Sequence, residues 1–146
     1  MGNSQITLSS EIISKLIEEA LFMRTRSYIP YSGFAVGAAL LAGSGRIYGG
    51  CNIENAAYPA TICAERTAMA KAVSEGERGF RAIAIAGGKE GEPEGYSYPC
   101  GTCRQVMREF CDSGTFVVIV ASSTEDYKIF TLEELLPNSF GPESLV

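Results

Sequence analysis

Two short cysteine clusters carry the residue types in this sequence that can support catalysis. Cys63 stands two residues before Glu65, and Cys100 and Cys103 form a second cluster directly after Pro99. Zinc held by three protein ligands keeps a fourth position for water, whereas a structural zinc site usually closes all four positions with side chains. No fourth ligand lies at an obvious spacing. The pattern therefore predicts a catalytic zinc site formed by Cys63, Cys100 and Cys103.

The absence of histidine narrows the chemistry further. A transition-metal site in this chain must use thiolate and carboxylate ligands, and thiolates favour a borderline ion such as zinc. Without imidazole, the best general acid or base near neutral pH is a carboxylate with a shifted pKa, and Glu65 is the candidate. Three thiolates give the zinc centre a formal charge of about −1, which weakens it as a Lewis acid. We expect Arg66 to donate hydrogen bonds to sulfur and withdraw part of that charge; a surface ion pair is the alternative.

Each cysteine cluster is expected to begin a helix. Residues 64–74 are rich in helix-forming types, and residues 101–110 follow Pro99, a residue type favoured near helix starts. The free N–H groups and positive dipole end of each helix would then face the thiolates and lower their pKa. This arrangement points the three sulfurs toward one point.

Five segments, taken in order, resemble the small, tetrameric cytidine deaminases. They are residues 31–40 (YSGFAVGAAL), 52–55 (NIEN), 63–68 (CAERTA), 99–105 (PCGTCRQ) and 135–142 (LLPNSFGP). The zinc-dependent base deaminases share the general pattern of a ligand followed by Ala-Glu and, later, Pro-Cys-x-x-Cys. The resemblance extends from about residue 10 to the end of the sequence.

The resemblance implies a fold and an assembly. The fold is α/β, a three-layer α/β/α sandwich with a five-stranded mixed sheet, and residues 1–146 form a single domain, consistent with their number. The assembly is a homotetramer whose active sites are completed across subunits. The cofactor is one Zn²⁺ ion per chain.

The resemblance also implies substrate contacts. It places Phe34 against the nucleoside, Asn52 and Glu54 on the ribose, Ala64 in the substrate site, and Phe140 near the nucleoside. An amide and a carboxylate at alternating positions would point to the same side and can satisfy ribose hydroxyls. Taken without the family, Phe34 is typical of a core residue, Asn52 and Glu54 of a solvated turn, and Phe140 of an anchor for the tail.

The implied reaction is zinc-dependent hydrolytic deamination of cytidine, and of 2'-deoxycytidine, in pyrimidine salvage. Zinc would lower the pKa of water, and Glu65 would take the proton and pass it to N3 of cytosine. A second proton transfer by Glu65 to the departing amine would release ammonia and leave uridine or deoxyuridine.

Three other functions share parts of this pattern. A structural zinc module that binds another protein would use the same thiolates, but it needs a fourth ligand and has no use for Glu65. A blasticidin-type deaminase is similar around both cysteine clusters, yet the pair Asn52 and Glu54 favours a nucleoside. A polynucleotide-editing deaminase shares the chemistry, but the net charge of −5 and the lack of any Lys or Arg run argue against nucleic acid as a partner.

No feature of the sequence predicts a membrane or secreted protein. Residues 1–10 lack the basic start and apolar run of a signal peptide, and the most apolar stretch, residues 34–42, is too short to span a bilayer. Five cysteines cannot all pair within one chain, which favours the reducing cytoplasm. We expect Cys51 and Cys111 to be small buried apolar residues.

Apolar periodicity and turn residues predict the elements that support the site. Residues 9–26 form an amphipathic helix that covers the sheet and carries no chemistry, with Ser9 or Ser10 as N-cap. The predicted strands are residues 34–42, 46–53, 80–86 (closed by Gly87 and Gly88), 115–121 and 127–131, and a short helix covers 132–136. Residues 89–98 are expected to be an exposed loop before the second cysteine cluster.

Overall fold

The computed structural model describes residues 8–146, in which an α-helix and a β-hairpin are followed by a helix, a strand, a helix, two strands and a last short helix. The helices are α1 (Ser10–Met23), α2 (Ala64–Ser74), α3 (Gly101–Phe110) and α4 (Leu132–Leu135). The strands are β1 (Phe34–Ala42), β2 (Ile47–Cys51), β3 (Phe80–Lys89), β4 (Val117–Ala121) and β5 (Tyr127–Thr131). Short 3₁₀ turns span Arg24–Arg26, Tyr58–Ala60 and Pro142–Ser144. The expectation about a signal peptide concerns a segment of which residues 1–7 lie outside the described part.

The five strands form one mixed sheet in the order β2-β1-β3-β4-β5. The strands β3 and β4 are parallel, and each other neighbouring pair is antiparallel. Helix α1 packs on one face of the sheet, and α2, α3 and α4 pack on the other. The predicted three-layer α/β/α sandwich with a five-stranded mixed sheet is therefore confirmed.

The two faces of β3 explain why both layers of helices can pack on the sheet. Successive strand residues point to opposite faces, and β3 alternates alanine with isoleucine. Ala82, Ala84 and Ala86 are buried under α1, whereas Ile83 and Ile85 are buried in the core beneath α2 and α3. The small side chains let α1 lie close to the sheet, and the larger ones fill the side that holds the cysteine clusters.

Glycines set how closely the helices approach the sheet. A Cβ atom at Gly37 of β1 would overlap the carbonyl oxygen of Ala20, near the end of α1. On the opposite face, a Cβ at Gly50 of β2 would lie 2.5 Å from the carbonyl oxygen of Ala64. Since real Cβ atoms do not make such contacts, Gly50 allows the first turn of α2, which carries the site residues, to rest directly on the sheet.

Several boundaries differ from the sequence-based prediction. The helix predicted over residues 9–26 begins after the N-cap Ser9 and ends at Met23, where a 3₁₀ turn carries the buried Arg24. The second strand ends at Cys51 and not at residue 53, because the side chain of Asn52 bonds to the backbone of β1 at Val36. The last helix ends at Leu135.

The strand β3 continues beyond the predicted stop at Gly87 and Gly88. It reaches Lys89 because β1 keeps pairing with it as far as Phe34. The missing side chain of Gly88 leaves room for the following loop to fold back, since a Cβ there would lie 2.6 Å from the backbone nitrogen of Glu94. The loop is exposed at several positions, as predicted, but it is also held against the end of the sheet.

Cys51 and Cys111 are both buried and unpaired, as predicted. Within residues 8–146, no helix combines the length and apolar character that crossing a membrane would require.

Candidate active site

The first cysteine cluster lies where α2 begins. Cys63 is the N-cap residue with an extended backbone, and its carbonyl oxygen accepts a hydrogen bond from the backbone nitrogen of Thr67 at 3.0 Å. Ala64 and Glu65 follow in the first turn, and both are buried. The N–H groups of a first helical turn have no partner within the helix, so the positive end of α2 lies at Cys63 and Glu65.

The second cluster lies at the start of α3 in the same way. Cys100 is its N-cap, and the sulfur of Cys100 accepts a hydrogen bond from the backbone nitrogen of Cys103 at 3.4 Å. Cys103 is buried one turn later. Both predicted helices therefore begin directly after a cysteine, and the two helix starts bring their cysteines together.

The three sulfurs of Cys63, Cys100 and Cys103 lie within 4.8 Å of one another. The sulfurs of Cys63 and Cys100 are 3.9 Å apart, far beyond the roughly 2.05 Å of a disulfide. Tetrahedral zinc with sulfur ligands at about 2.3 Å separates two sulfurs by about 3.8 Å. The donor set and its spacing therefore fit zinc. A fourth Cys, His, Asp or Glu ligand does not join this group among residues 8–146, which agrees with an open fourth position.

Hydrogen bonds distribute charge unevenly over the sulfurs. The bond with Cys103, followed by that from Arg66, lowers the pKa of Cys63 to about 5. The same contact with the Cys63 thiolate raises the pKa of Cys103. Without a metal, Cys103 therefore favours the protonated thiol. A bound divalent cation would favour the thiolate instead, because thiols that coordinate a metal are deprotonated.

Arg66 reaches back over the start of α2 to the cluster. Its Nη2 donates to the sulfur of Cys63 at 3.5 Å, and hydrogen bonds to Cys63 and Cys103 raise the pKa of Arg66. Its Nε is buried and has no hydrogen-bond partner within residues 8–146. The geometry thus matches a sulfur-directed cation and not a surface ion pair.

Glu65 is a buried carboxyl group, with 5% of its surface exposed. Burial is the largest cause that raises the pKa of Glu65, to about 7. The negative charge of Cys63 acts in the same direction, and Arg66 opposes it. A pKa near neutrality is the value at which a general acid and base is most effective.

A cavity of about 410 Å³ opens in front of these residues, a size typical of small-molecule sites. Six of the residues predicted for the site line it: Phe34, Asn52, Cys63, Ala64, Glu65 and Cys100. The buried Cys103 lies behind them, in the sulfur cluster. The structure therefore brings two of the three expected metal ligands, the expected acid and base, and three of the expected substrate contacts to one cavity, with the third ligand directly behind it in the sulfur cluster.

Glu54 and Phe140 stand apart from this cavity. Glu54 lines a neighbouring depression, and Thr61 borders both spaces. The Oε1 atom of Glu54 accepts hydrogen bonds from the backbone nitrogens of Tyr31 and Ser32 at 3.0 and 3.1 Å. Phe140 is 59% exposed and is absent from the cavity lining within the described chain.

Sequence reasoning missed one wall of the cavity. Tyr96, Ser97 and Tyr98, from the loop that was expected only to be exposed, line it beside the predicted residues. The one available signal was their position directly before Pro99 and Cys100. Val36 and Ile85, which also line the cavity, carry no signal that separates them from other core residues.

The comparisons with known proteins agree with this site. The model of the cytidine and deoxycytidylate deaminase zinc-binding region matches residues 10–120. A cytidine deaminase of Sporosarcina psychrophila is 50% identical over 133 residues, which are 91% of this chain and 94% of that protein. One from Halalkalibacterium halodurans is 48% identical over 131 residues, 89% and 95% of the two chains. The crystal structure of cytidine deaminase from Burkholderia pseudomallei superposes with a TM-score of 0.78 at 43% identity, and covers 86% of this chain and 97% of that one.

The fold is a mixed sheet between helical layers. The site combines three cysteines at the starts of α2 and α3 with a buried glutamate in the first turn of α2. Together with the matches above, these features define a zinc-dependent deaminase. The chain belongs to the cytidine and deoxycytidylate deaminase family. The expected family and the expected zinc cofactor are both confirmed, since the matched region is a zinc-binding one and the three sulfurs are placed to hold a metal ion.

Proposed function

We propose that this protein hydrolyses cytidine, and 2'-deoxycytidine, to uridine or deoxyuridine and ammonia, as part of pyrimidine salvage in the cytoplasm. The observation that carries the proposal is the position of Glu65, a buried carboxyl with a pKa of about 7 in the same cavity as the metal-binding sulfurs. A structural zinc module has no need of such a group.

Cys63, Cys100 and Cys103 would hold the zinc ion, which would supply the Lewis acidity that makes water a nucleophile near neutral pH. Glu65 accepts one proton as the water oxygen bonds to C4 of the cytosine ring, and it delivers that proton to N3 of the same ring. It then moves the second proton of the water to the amine at C4. The C4–N bond breaks, ammonia leaves, and C4 keeps the oxygen as a carbonyl.

Asn52 retains hydrogen-bonding capacity for the ribose. Its Oδ1 accepts from the backbone nitrogen of Val36 at 3.0 Å and its Nδ2 donates to the carbonyl oxygen of Phe34 at 2.8 Å. A side-chain amide has two donors and two acceptor positions, so one of each remains for a sugar hydroxyl. The two hydrogen bonds to β1 also fix Asn52 relative to Phe34, whose ring we place against the cytosine ring of the substrate.

Glu54 complements this pair from the neighbouring depression. A hydrogen bond from the Ser32 side chain, together with the backbone N–H groups of Tyr31 and Ser32, lowers the pKa of Glu54. The carboxyl is thereby held ionised and oriented, which makes it an acceptor for ribose hydroxyls.

The experiment that tests the function is a product analysis with purified protein. Cytidine should be converted to uridine and ammonia in equal amounts, and free cytidine should inhibit conversion of any other amine-bearing substrate. Faster turnover of blasticidin, or of cytosine within a polynucleotide, with weak inhibition by cytidine would contradict the proposal.

Arg66→Gln should lower kcat by roughly 10- to 100-fold, as loss of an outer partner of a metal ligand commonly does. The glutamine leaves the sulfur of Cys63 without a charged donor, so the cluster becomes more negative and zinc a weaker Lewis acid. Steady-state kinetics with a zinc determination on each sample measures this effect. The exposed Arg46, which pairs with Glu75 at 3.5 Å, provides the matched control Arg46→Gln. Equal rates for both variants would remove Arg66 from the site.

We also propose a homotetramer in which Phe140 closes the active site of a neighbouring subunit. The support is that Phe140 is exposed in the single chain, while the cavity is open to solvent. Gln105 of α3 donates to the carbonyl oxygen of Phe140 at 2.9 Å, which anchors the segment that presents the ring.

Co-expression of Glu65→Gln with Phe140→Ala tests this assembly. Each parent should be weak, because one lacks the base and the other lacks the closing aromatic ring. Mixed oligomers should recover activity, because a Phe140→Ala subunit keeps Glu65 and receives Phe140 from its neighbour. Activity no higher than that of the two parents combined, in oligomers shown to be mixed, would contradict a shared site.

A further inference from the structure

Arg24 is a buried cation on the face of the sheet opposite the active site. It follows α1 directly and is 9% exposed. Its guanidinium donates four hydrogen bonds, all to main-chain carbonyl oxygens. Nε bonds to Ala35 at 3.0 Å, Nη1 to Gly91 at 2.9 Å, and Nη2 to Gly88 at 3.1 Å and Lys89 at 2.9 Å.

These acceptors belong to the two segments from which the cavity walls are built. Ala35 lies between the cavity residues Phe34 and Val36, and it pairs with Gly88 across the sheet. Gly88, Lys89 and Gly91 carry the chain from the end of β3 into the loop that later supplies the opposite wall. Buried carbonyl groups need partners, and one side chain supplies them to both segments.

The rest of the loop is folded back over the same end of the sheet. The backbone nitrogen of Glu94 donates to the carbonyl oxygen of Gly87 at 3.3 Å. The hydroxyl of Tyr96 donates to the carboxylate of Asp126, in the turn between β4 and β5. Ser97 packs over Gly87, where a Cβ atom would lie 2.9 Å from that of Ser97. The loop is thus attached at its entry by Arg24 and at its exit by Asp126.

We propose that Arg24 is a positioning residue for substrate binding, which holds the wall formed by Tyr96, Ser97 and Tyr98 at a fixed distance from Phe34. Arg24 touches neither the cavity nor the zinc ligands, so its effect passes through the backbone of Ala35 and Gly88. The inference rests on the proposed function, because its main readout is the binding of a nucleoside between these walls.

The charge and shape of the side chain are both needed for this role. An arginine presents five N–H donors in a fixed planar fork, and here four hydrogen bonds use it. A lysine offers a single point of charge with three donors, which cannot reach all four carbonyls in the same arrangement. Burial lowers the pKa of Arg24, and the charge of Glu92 raises it; an arginine remains protonated under these conditions.

The test compares Arg24→Gln and Arg24→Lys with Arg26→Gln, which changes an exposed arginine of the same 3₁₀ turn. For Arg24→Gln we expect kcat/KM for cytidine to fall by roughly 10- to 100-fold, mainly through KM, with zinc per chain unchanged. Arg24→Lys should lie between this variant and the wild type. Arg26→Gln should match the wild type. All rates are measured well below each variant's own Tm.

Gly88→Ala disturbs the position of the loop at Gly88, where Arg24 bonds to the backbone, without changing Arg24 itself. Its Cβ would meet the backbone nitrogen of Glu94, so it should displace the loop while Arg24 is intact, and it should raise KM as well. This second variant decides the question if Arg24→Gln does not fold. Hydrogen exchange across residues 93–98 supplies a readout that does not depend on activity, and should be faster in Arg24→Gln and Gly88→Ala.

The outcomes separate this inference from the proposed function. Folded, zinc-loaded Arg24 variants with the wild-type KM and wild-type exchange across residues 93–98 would overturn it, as would a wild-type KM in both Arg24→Lys and Gly88→Ala. A loss of zinc in parallel with the rate would also overturn it, since Arg24 would then support only the fold. A wild-type protein that does not convert cytidine would contradict the proposed function, while the exchange comparison would still decide whether Arg24 holds the loop.

Discussion

Glu65→Gln is expected to lose at least about 10²- to 10⁴-fold in kcat, the range that general acid–base catalysis supplies, while close to one zinc per chain stays bound. In the proposed mechanism Glu65 changes protonation state twice in each turnover, and an amide can neither accept nor deliver those protons. The size and position of the side chain are preserved, so the cavity should remain intact. Metal analysis and the rate of cytidine conversion, measured on the same sample, test both halves of the prediction.

The matched control for this variant is Glu75→Gln. Glu75 is the exposed C-cap residue of the same helix and pairs with Arg46 on the surface. It should leave both zinc content and rate unchanged. A Glu65→Gln protein with near-normal activity would contradict the assignment of Glu65 as the acid and base. A large loss of zinc would instead place Glu65 among the groups that hold the metal site together.

Cys103→Ala should lose most of its zinc and, with it, its activity. Removal of one of three thiolates leaves two protein ligands, fewer than the three that hold zinc in catalytic sites. The buried position of Cys103 between α3 and the sheet also prevents a surface residue from taking its place. Zinc per chain, determined after dialysis, measures the effect.

Cys111→Ala is the control for that experiment. Cys111 is the buried residue that follows α3, and burial raises the pKa of its thiol to about 12. It lies outside the sulfur cluster, so its replacement should keep the zinc even if it lowers Tm. Full zinc in Cys103→Ala would remove Cys103 from the ligand set.

Residue types and short spacings predicted the chemical centre because the information there is local. The absence of histidine, the two cysteine clusters and the carboxylate two residues after Cys63 already limited the metal and the base. Both helix starts followed from composition and from Pro99. The individual strands followed from apolar runs and turn residues, whereas their arrangement in one five-stranded mixed sheet was implied by the family resemblance.

The features that the sequence did not reveal depend on contacts between distant segments. Arg24 stood inside a predicted amphipathic helix, and its main-chain acceptors lie 11 to 67 residues further along the chain. In the sequence, the wall formed by Tyr96 to Tyr98 looked like part of a polar loop. The loop folds back because Gly87 and Gly88 leave room for it, and that contact cannot be read from the loop's own residues. The extension of β3 to Lys89 likewise depends on its partner β1, since glycine alone favours a stop.

We propose that three cysteine sulfurs hold the zinc ion with which Glu65 deaminates cytidine. The most direct measurement is the ultraviolet absorbance of cytidine during removal and return of zinc to the purified protein. Loss of the cytidine band should stop when zinc is chelated and should return in proportion to added zinc, up to one equivalent per chain. Conversion that continues without zinc, or zinc-loaded protein that leaves cytidine unchanged, would contradict it.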